Sequence, residues 1–169
     1  MGITLLTKDD QRAIQRLFKT VTQVLREKGI HQWDRFYPNR FVIGNDLKQL
    51  HLYGIKHAKD VLAVVTVDQH QSKNYQTLSW HGEEEQAACI HRLAVHPAYQ
   101  GNSLGKQLLA FAEEQAKKDG CRSIRLDVFS ANPSAIAMYQ KAGYEKRGQI
   151  AYPFRKHPYY CFEKSLNES

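Results

Sequence analysis

Ala87-Ala88-Cys89-Ile90-His91-Arg92-Leu93-Ala94-Val95 runs straight into His96-Pro97-Ala98-Tyr99-Gln100-Gly101-Asn102-Ser103-Leu104-Gly105-Lys106. The first nine residues read as a strand. It ends before His96-Pro97, because proline forces extended backbone on the residue before it. A helix is predicted from about Ser103 to Asp119, with Leu104, Leu108, Phe111, Ala112 and Gln115/Ala116 as its apolar stripe and Gly120 as its stop. Two glycines and two small polar residues thus sit where a strand becomes a helix. Glycine lets backbone N–H groups approach a ligand closely. A helix N-terminus leaves up to four N–H donors unpaired and carries partial positive charge. Such a turn can hold a phosphate or pyrophosphate, and Lys106 adds a full charge. Taken alone, it reads more economically as a tight turn, since neither a Walker pattern nor a complete GxGxxG is present.

Working outward, the elements alternate. Ile3 to Leu6 reads as an edge strand. Thr7 caps a helix in which Ile14, Leu17, Phe18, Val21, Val24 and Leu25 recur at helical spacing until Gly29. Gln49–Ile55 and Val61–Asp68 read as a hairpin, and Gln69–Glu85 as a polar loop interrupted by Tyr75, Leu78 and Trp80. Cys121–Phe129 alternates, with Ile124, Leu126 and Val128 on one face. Asn132 caps a helix with Pro133 in its first position, and that helix stops at Gly143. Glu145–Tyr152 and Tyr159–Leu166 close the chain as strands. The order predicts one α/β (α+β) domain over residues 1–169, with helices on a mixed sheet.

The chain has 169 residues, 42% hydrophobic and 24% charged, which is ordinary for a soluble globular domain. Its 24 basic and 17 acidic residues leave a net charge of +7, which favours an anionic ligand or partner. No run approaches the length of a membrane span. Residues 1–10 reach acidic side chains too early for a secretory signal. Cys89, Cys121 and Cys161 are odd in number and far apart. They fit reduced thiols in the cytoplasm better than a disulfide frame or a zinc site, and the eight histidines lack paired ligand spacing, so no metal is expected. Asn167-Glu168-Ser169 matches a glycosylation acceptor by chance.

Leu93-Ala94-Val95, His96-Pro97, Gln100-Gly101-Asn102-Ser103-Leu104-Gly105 and Leu108-Leu109 together resemble motif A of the GNAT superfamily of acyl-CoA N-acyltransferases. Ser103 stands where that motif usually has its middle glycine. Leu126-Asp127-Val128, Asn132-Pro133, Ala137-Met138-Tyr139 and Lys141-Ala142-Gly143-Tyr144-Glu145 resemble motif B in the expected order. The resemblance implies a mixed, mostly antiparallel sheet of six or seven strands, with helices on both faces, splayed at the acyl-CoA site. It also implies acetyl-CoA as co-substrate, its pantetheine arm along Leu93, Ala94 and Val95. The pyrophosphate is then expected on Gln100, Gly101, Asn102, Ser103, Leu104, Gly105 and Lys106. Asn132 matches a pantetheine-holding position, and Tyr139 the residue that protonates the leaving thiolate.

The chemistry is consistent with such parts. An amine attacks the thioester carbonyl, and the oxygen that becomes negative needs an N–H donor, which the backbone near Leu93–Val95 can supply. The leaving thiol has a pKa of about 8.5 and a phenol one of about 10, so a tyrosine is a serviceable donor. The base is either Glu85, in the acidic run before the strand, or His91 within it. By period two, His91 shares a face with Cys89, Leu93 and Val95, whereas Arg92 faces the other way and reads as structural. His31–Pro38 packs three aromatics and both charge signs into a short span. In proteins of this kind that region lines the acceptor pocket, so Trp33 and Tyr37, with Trp80 from a later loop, are the candidate acceptor contacts; equally, Trp33, Phe36 and Tyr37 read as core cover. The expected reaction is acetyl transfer to the primary amine of a small molecule or peptide. The alternatives are an acyl-CoA-binding module without transfer and a basic nucleic-acid-binding domain, the latter disfavoured by scattered basic residues and by the lack of any such motif. Tyr152, Phe154, Tyr159, Tyr160 and Phe162 make the C-terminal region aromatic enough to expect a homodimer.

Overall fold

The computed structural model describes residues 2–166, so the Asn167–Ser169 tripeptide lies outside the described residues. Among these residues the elements are strands β1 (Ile3–Leu5), β2 (Leu52–His57), β3 (Asp60–Asp68), β4 (Ala87–Val95), β5 (Ser123–Phe129), β6 (Glu145–Ile150) and β7 (Tyr159–Ser165), and helices α1 (Gln11–Glu27), α2 (Arg40–Lys48), α3 (Leu104–Lys118) and α4 (Pro133–Lys141). The strands form one mixed sheet in the order β1-β2-β3-β4-β5-β7-β6. The β4–β5 pair is parallel; β1–β2, β2–β3, β5–β7 and β6–β7 are antiparallel. The chain forms two compact units, Met1–Val67 with Arg92–Ala112, and Asp68–His91 with Glu113–Ser169.

In the first unit the core follows from the periodicity of α1. Ile14, Leu17, Phe18 and Val21 are buried together with Leu6, Leu52 and Val64. A 3-10 turn precedes the helix, and the Thr7 N–H donates to Asp10 Oδ2 at 2.9 Å. Asp10 also holds Lys56 Nζ at 2.9 Å. Burial raises the pKa of this carboxyl, but the Thr7 N–H and Lys56 outweigh it and hold it below its ordinary value. Gly29, at φ +79°, follows the helix in the left-handed conformation that a helix end favours. Helix α2 has no counterpart among the expected elements. Asn39 caps it by accepting from the N–H groups of Phe41 and Val42 at 3.0 and 3.1 Å, and it buries Ile43, Asp46 and Leu47.

In the second unit, β7 pairs with β5 along its full length, from Ser123↔Ser165 to Phe129↔Tyr159. Ile124, Leu126 and Val128 of β5 are buried, as their shared face predicts, and so are Ser123, Arg125 and Phe129 on the alternate positions. Arg125 is tolerated there because it is spent on fixed partners. It donates to Gln71 Oε1 at 2.6 Å and to the Gly82 carbonyl at 2.7 Å, and its Nε lies 3.8 Å from Glu163 Oε2. Of the five C-terminal aromatics behind the homodimer expectation, only Phe154 is fully exposed. Phe162 is buried, Tyr152 and Tyr159 pack edge-to-face at 4.9 Å, and Lys146 Nζ lies 3.6 Å above the Tyr160 ring.

Candidate active site

Strand β4 carries an irregularity that sequence periodicity does not reveal. Arg92 has φ +50°, a left-handed conformation inside a strand. The period-two reading that put Leu93 and Val95 on the face of Cys89 and His91 therefore fails at Arg92, since the chain is locally re-aimed there, as at a β-bulge. The β4–β5 ladder covers only Ala87–Cys89 against Ser123–Arg125, and each strand continues beyond it.

The turn after β4 is built by local hydrogen bonds. The His96 N–H donates to the Leu62 carbonyl at 2.7 Å, and His96 Nδ1 accepts from the Ala98 N–H at 3.1 Å, capping a 3-10 turn over Pro97–Tyr99. Gln100 Nε2 donates back to the Val95 carbonyl at 3.3 Å. Gly101 (φ +89°) and Ser103 (φ +63°) are both left-handed, and the Ser103 carbonyl accepts the first helical bond of α3, from the Gln107 N–H at 2.9 Å. Ser103 thus occupies a conformation that glycine adopts without strain, which accounts for the glycine usual at this place in motif A. Gly101, Asn102, Ser103 and Lys106 are exposed, Gly105 is half-buried, and Leu104 is buried and anchors the helix. The result is an exposed helix start with lysine beside it, suited to an anion.

In the same unit, Arg92 is clamped. Its Nε and Nη2 donate to both oxygens of buried Asp46 at 2.7 to 2.9 Å, and its Nη1 donates to Tyr37 Oη at 3.0 Å. Thr66 Oγ1 donates to the same Asp46 at 3.0 Å. Tyr37 is 39% exposed. Trp33 is a core residue instead, edge-on to Phe18 at 5.3 Å, so its ring is used for packing and its candidacy as an acceptor contact is corrected.

The second unit holds the other named residues. His91 Nε2 lies 2.8 Å from Asp68 Oδ1 and 3.1 Å from the His70 carbonyl oxygen. Glu85 sits exposed in a 3-10 turn, Glu84–Gln86. Asn132 caps α4 as expected, its side chain accepting from the Ala135 N–H at 3.3 Å. Tyr139 is buried, its ring edge-on to Tyr144 at 5.8 Å, and burial with the negative charge of Asp127 raises its hydroxyl pKa above that of an ordinary phenol. Trp80 is half-buried. Its Nε1 donates to the Tyr75 carbonyl at 2.8 Å, and Arg125 stacks over its ring at 4.5 Å. The three cysteines are free and buried. One group escaped the sequence reading: Asp127 accepts from Tyr75 Oη at 2.7 Å and Tyr152 Oη at 3.1 Å. An acidic residue between Leu126 and Val128 in an apolar strand was the available signal. Among the described residues, no cluster of metal-binding side chains occurs.

These parts supply backbone donors for an anion, a paired imidazole and a buried phenol. The profile of the acetyltransferase (GNAT) family matches residues 18–144. The chain is 27% identical over 160 residues to the uncharacterized N-acetyltransferase YesJ of Bacillus subtilis, covering 94% of this chain and 86% of that one. It is 34% identical over 59 residues to the ribosomal protein bS18-alanine N-acetyltransferase of Escherichia coli, covering 35% of this chain and 40% of that enzyme. Its fold is similar to that of a GNAT-family acetyltransferase from Streptococcus agalactiae, with a TM-score of 0.82, 18% identity and coverage of 99% and 96%. It is also similar in fold to YncA of Salmonella typhimurium, solved with its cofactor acetyl-CoA, with a TM-score of 0.71, 19% identity and coverage of 100% and 95%. The strand-turn-helix, the capped motif B helix and a profile match over most of the chain lead to one conclusion: this protein belongs to the GNAT family and is an acetyltransferase.

Proposed function

We propose that the protein transfers the acetyl group of acetyl-CoA to a primary amine of a small molecule or peptide, by direct attack in a ternary complex. The observation that carries this reading is the exposed start of α3, where Gly101 and Ser103 are left-handed and Lys106 is exposed. Acetyl-CoA brings the activated thioester. The backbone N–H groups of residues 101–105 and the Lys106 ammonium hold its pyrophosphate, an anion matched to a helix N-terminus. Leu93, Ala94 and Val95 follow the irregularity at Arg92 and offer extended backbone to the pantetheine amides, and the Asn132 side chain is a further polar contact for that arm. A backbone N–H of this strand stabilises the oxygen that becomes negative.

His91 takes the ammonium proton. Its Nε2 faces a carboxylate and a carbonyl, which makes Nε2–H the favoured tautomer and leaves Nδ1 as the basic nitrogen. Exposed Glu85 is the weaker candidate for this step. Tyr139 donates to the departing thiolate. Tyr37 and Trp80 contact the acceptor, whose cationic amine suits aromatic faces. Buried free thiols fit a reducing compartment, so we infer a cytoplasmic site of action. No helix among the described residues is long and apolar enough to cross a membrane.

The test has two stages. Calorimetry with millimolar acetyl-CoA should give heat and raise the unfolding temperature, because a ligand of the native state stabilises it. Release of free CoA across a panel of small amines and peptides with free N-termini should then identify the acceptor. No heat and no thermal shift would remove the reading of the turn; binding without CoA release across the panel would favour a module that does not transfer.

A further inference from the structure

We propose that Arg92 is a positioning residue that links occupancy of β4 by acetyl-CoA to the shape of the acceptor segment, residues 31–39. This rests on the function proposed above. An arginine is an expensive choice at this place, because a left-handed φ of +50° inside a strand is strained for any residue with a Cβ. Glycine would relieve that strain but would lack a guanidinium. The side chain is used at every donor position the structure resolves. Nε and Nη2 grip both oxygens of Asp46 from α2, and Nη1 reaches the Tyr37 hydroxyl on the acceptor segment. Asp46 is only 6% exposed and is fixed from the other side by Thr66 on β3. A buried, bidentate pair of this kind has one good geometry, so it transmits position instead of absorbing it.

The far end of the linkage is equally well defined. The Asp34 carboxylate accepts from the N–H groups of Phe36 and Tyr37 at 2.7 and 3.0 Å, and the Asp34 and Tyr37 backbones bond to each other. Residues 34–37 therefore form a closed turn, and the Arg92–Tyr37 bond at 3.0 Å reaches it from β4. Leu93, Ala94 and Val95 directly follow Arg92. A ligand that pairs with their backbone fixes the strand at Arg92, and with it the guanidinium and the Tyr37 turn.

Hydrogen exchange on the full chain tests this without knowledge of the acceptor. The Phe36 and Tyr37 amides have named acceptors, so their exchange reports opening of the turn. In the wild type, acetyl-CoA should slow exchange at residues 93–95 and also, by roughly fivefold or more, at residues 34–37. Tyr37→Phe keeps the ring and removes the hydroxyl. It should retain acetyl-CoA affinity and protection at 93–95 but lose the added protection at 34–37. Arg92→Lys, which cannot grip Asp46 and Tyr37 together, should do the same. Protection of 34–37 that persists in Tyr37→Phe, or that never arises in wild type when 93–95 is protected, overturns the linkage. Absence of acetyl-CoA binding to the wild type would instead sink the proposed function itself, so the two failures are distinct.

Discussion

His91 Nε2 lies 2.8 Å from Asp68 Oδ1, joining the end of β3 to the middle of β4 through an imidazole–carboxylate pair. A carboxylate acceptor fixes which ring nitrogen carries the proton and stabilises the imidazolium once the other nitrogen has taken one. If His91 is the base, His91→Gln should lower turnover by roughly 10²-fold, the low end of the range for a positioned base. Asp68→Asn should lower it less, because the imidazole loses the carboxylate that fixes its tautomer and orientation. Glu85→Gln should leave turnover unchanged. A loss of turnover in Glu85→Gln and not in the other two variants would reverse the assignment. Measurement requires saturating acetyl-CoA and the acceptor found in the amine panel.

Ser103 offers a stability prediction tied to the turn. Its φ of +63° costs a non-glycine residue about 1 kcal/mol, partly offset because serine restricts the unfolded chain more than glycine does. Ser103→Gly should therefore raise stability slightly, by up to about 0.5 kcal/mol in urea unfolding. Ser103→Val puts a β-branched side chain in a left-handed conformation and should lower stability by more than 1 kcal/mol, on the order expected for backbone strain. Equal behaviour of the two variants would mean that the turn relaxes away from this conformation.

The cysteines predict a pH dependence. Burial, with the nearby charge of Asp127, pushes the Cys161 thiol up to about 12, and burial raises the pKa of Cys89 and Cys121 as well. A group whose folded pKa is raised stabilises the native state fully below its unfolded value and loses that contribution as pH climbs toward the folded one. The unfolded thiols ionise near about 8.5, so stability should be level through neutrality and decline above that value. Urea midpoints at neutral and alkaline pH will show it, and Cys161→Ala should flatten part of the decline. The native thiols should resist a disulfide reagent that labels all three in urea.

Much of this architecture was legible because it rests on patterns with one physical meaning. Ala87–Val95 is a strand with the predicted bounds, and Asn132-Pro133 starts α4 as a cap followed by a proline should. Helix α2 was hidden because its nine residues bury only Ile43, Asp46 and Leu47, and one of those is charged. No 3.6-residue apolar stripe develops over so short a span; the Asn39 cap was its best signal. Arg92 reads as structural in the sequence, and it is paired, but its left-handed backbone leaves no mark in composition or period. Asp127 is hidden in the sequence because alternation assigns a polar residue to solvent, whereas β5 is buried on both faces. Trp33 and Tyr37 are close in sequence, yet one fills the core and the other reaches Arg92, a division fixed only by the turn at Asp34.

Tyr139 gives the most discriminating test of the chemistry. Burial and Asp127 raise its pKa, so the phenol keeps its proton at every working pH, as a donor must. The same shift makes it a weaker acid than the ordinary phenol, itself weaker than a thiol of pKa about 8.5. Full transfer to a free thiolate is therefore uphill, and the hydroxyl acts mainly by hydrogen-bonding to the sulfur as its charge develops. Tyr139→Phe keeps the ring that packs against Tyr144 and removes only that donor. Turnover should fall between about 10- and 10²-fold, with acetyl-CoA affinity and unfolding temperature nearly unchanged. The loss should shrink with acetyl thioesters of more acidic thiols, whose leaving groups need less stabilisation. Asp127→Asn should remove part of the upward shift and make Tyr139 a better acid, so any loss of turnover in that variant should be smallest with the least acidic leaving thiols. Wild-type turnover should also show no alkaline limb from Tyr139 below about pH 10, since the phenol stays protonated there. Unchanged turnover in Tyr139→Phe, measured where chemistry limits the rate, would assign the proton to water or to another side chain.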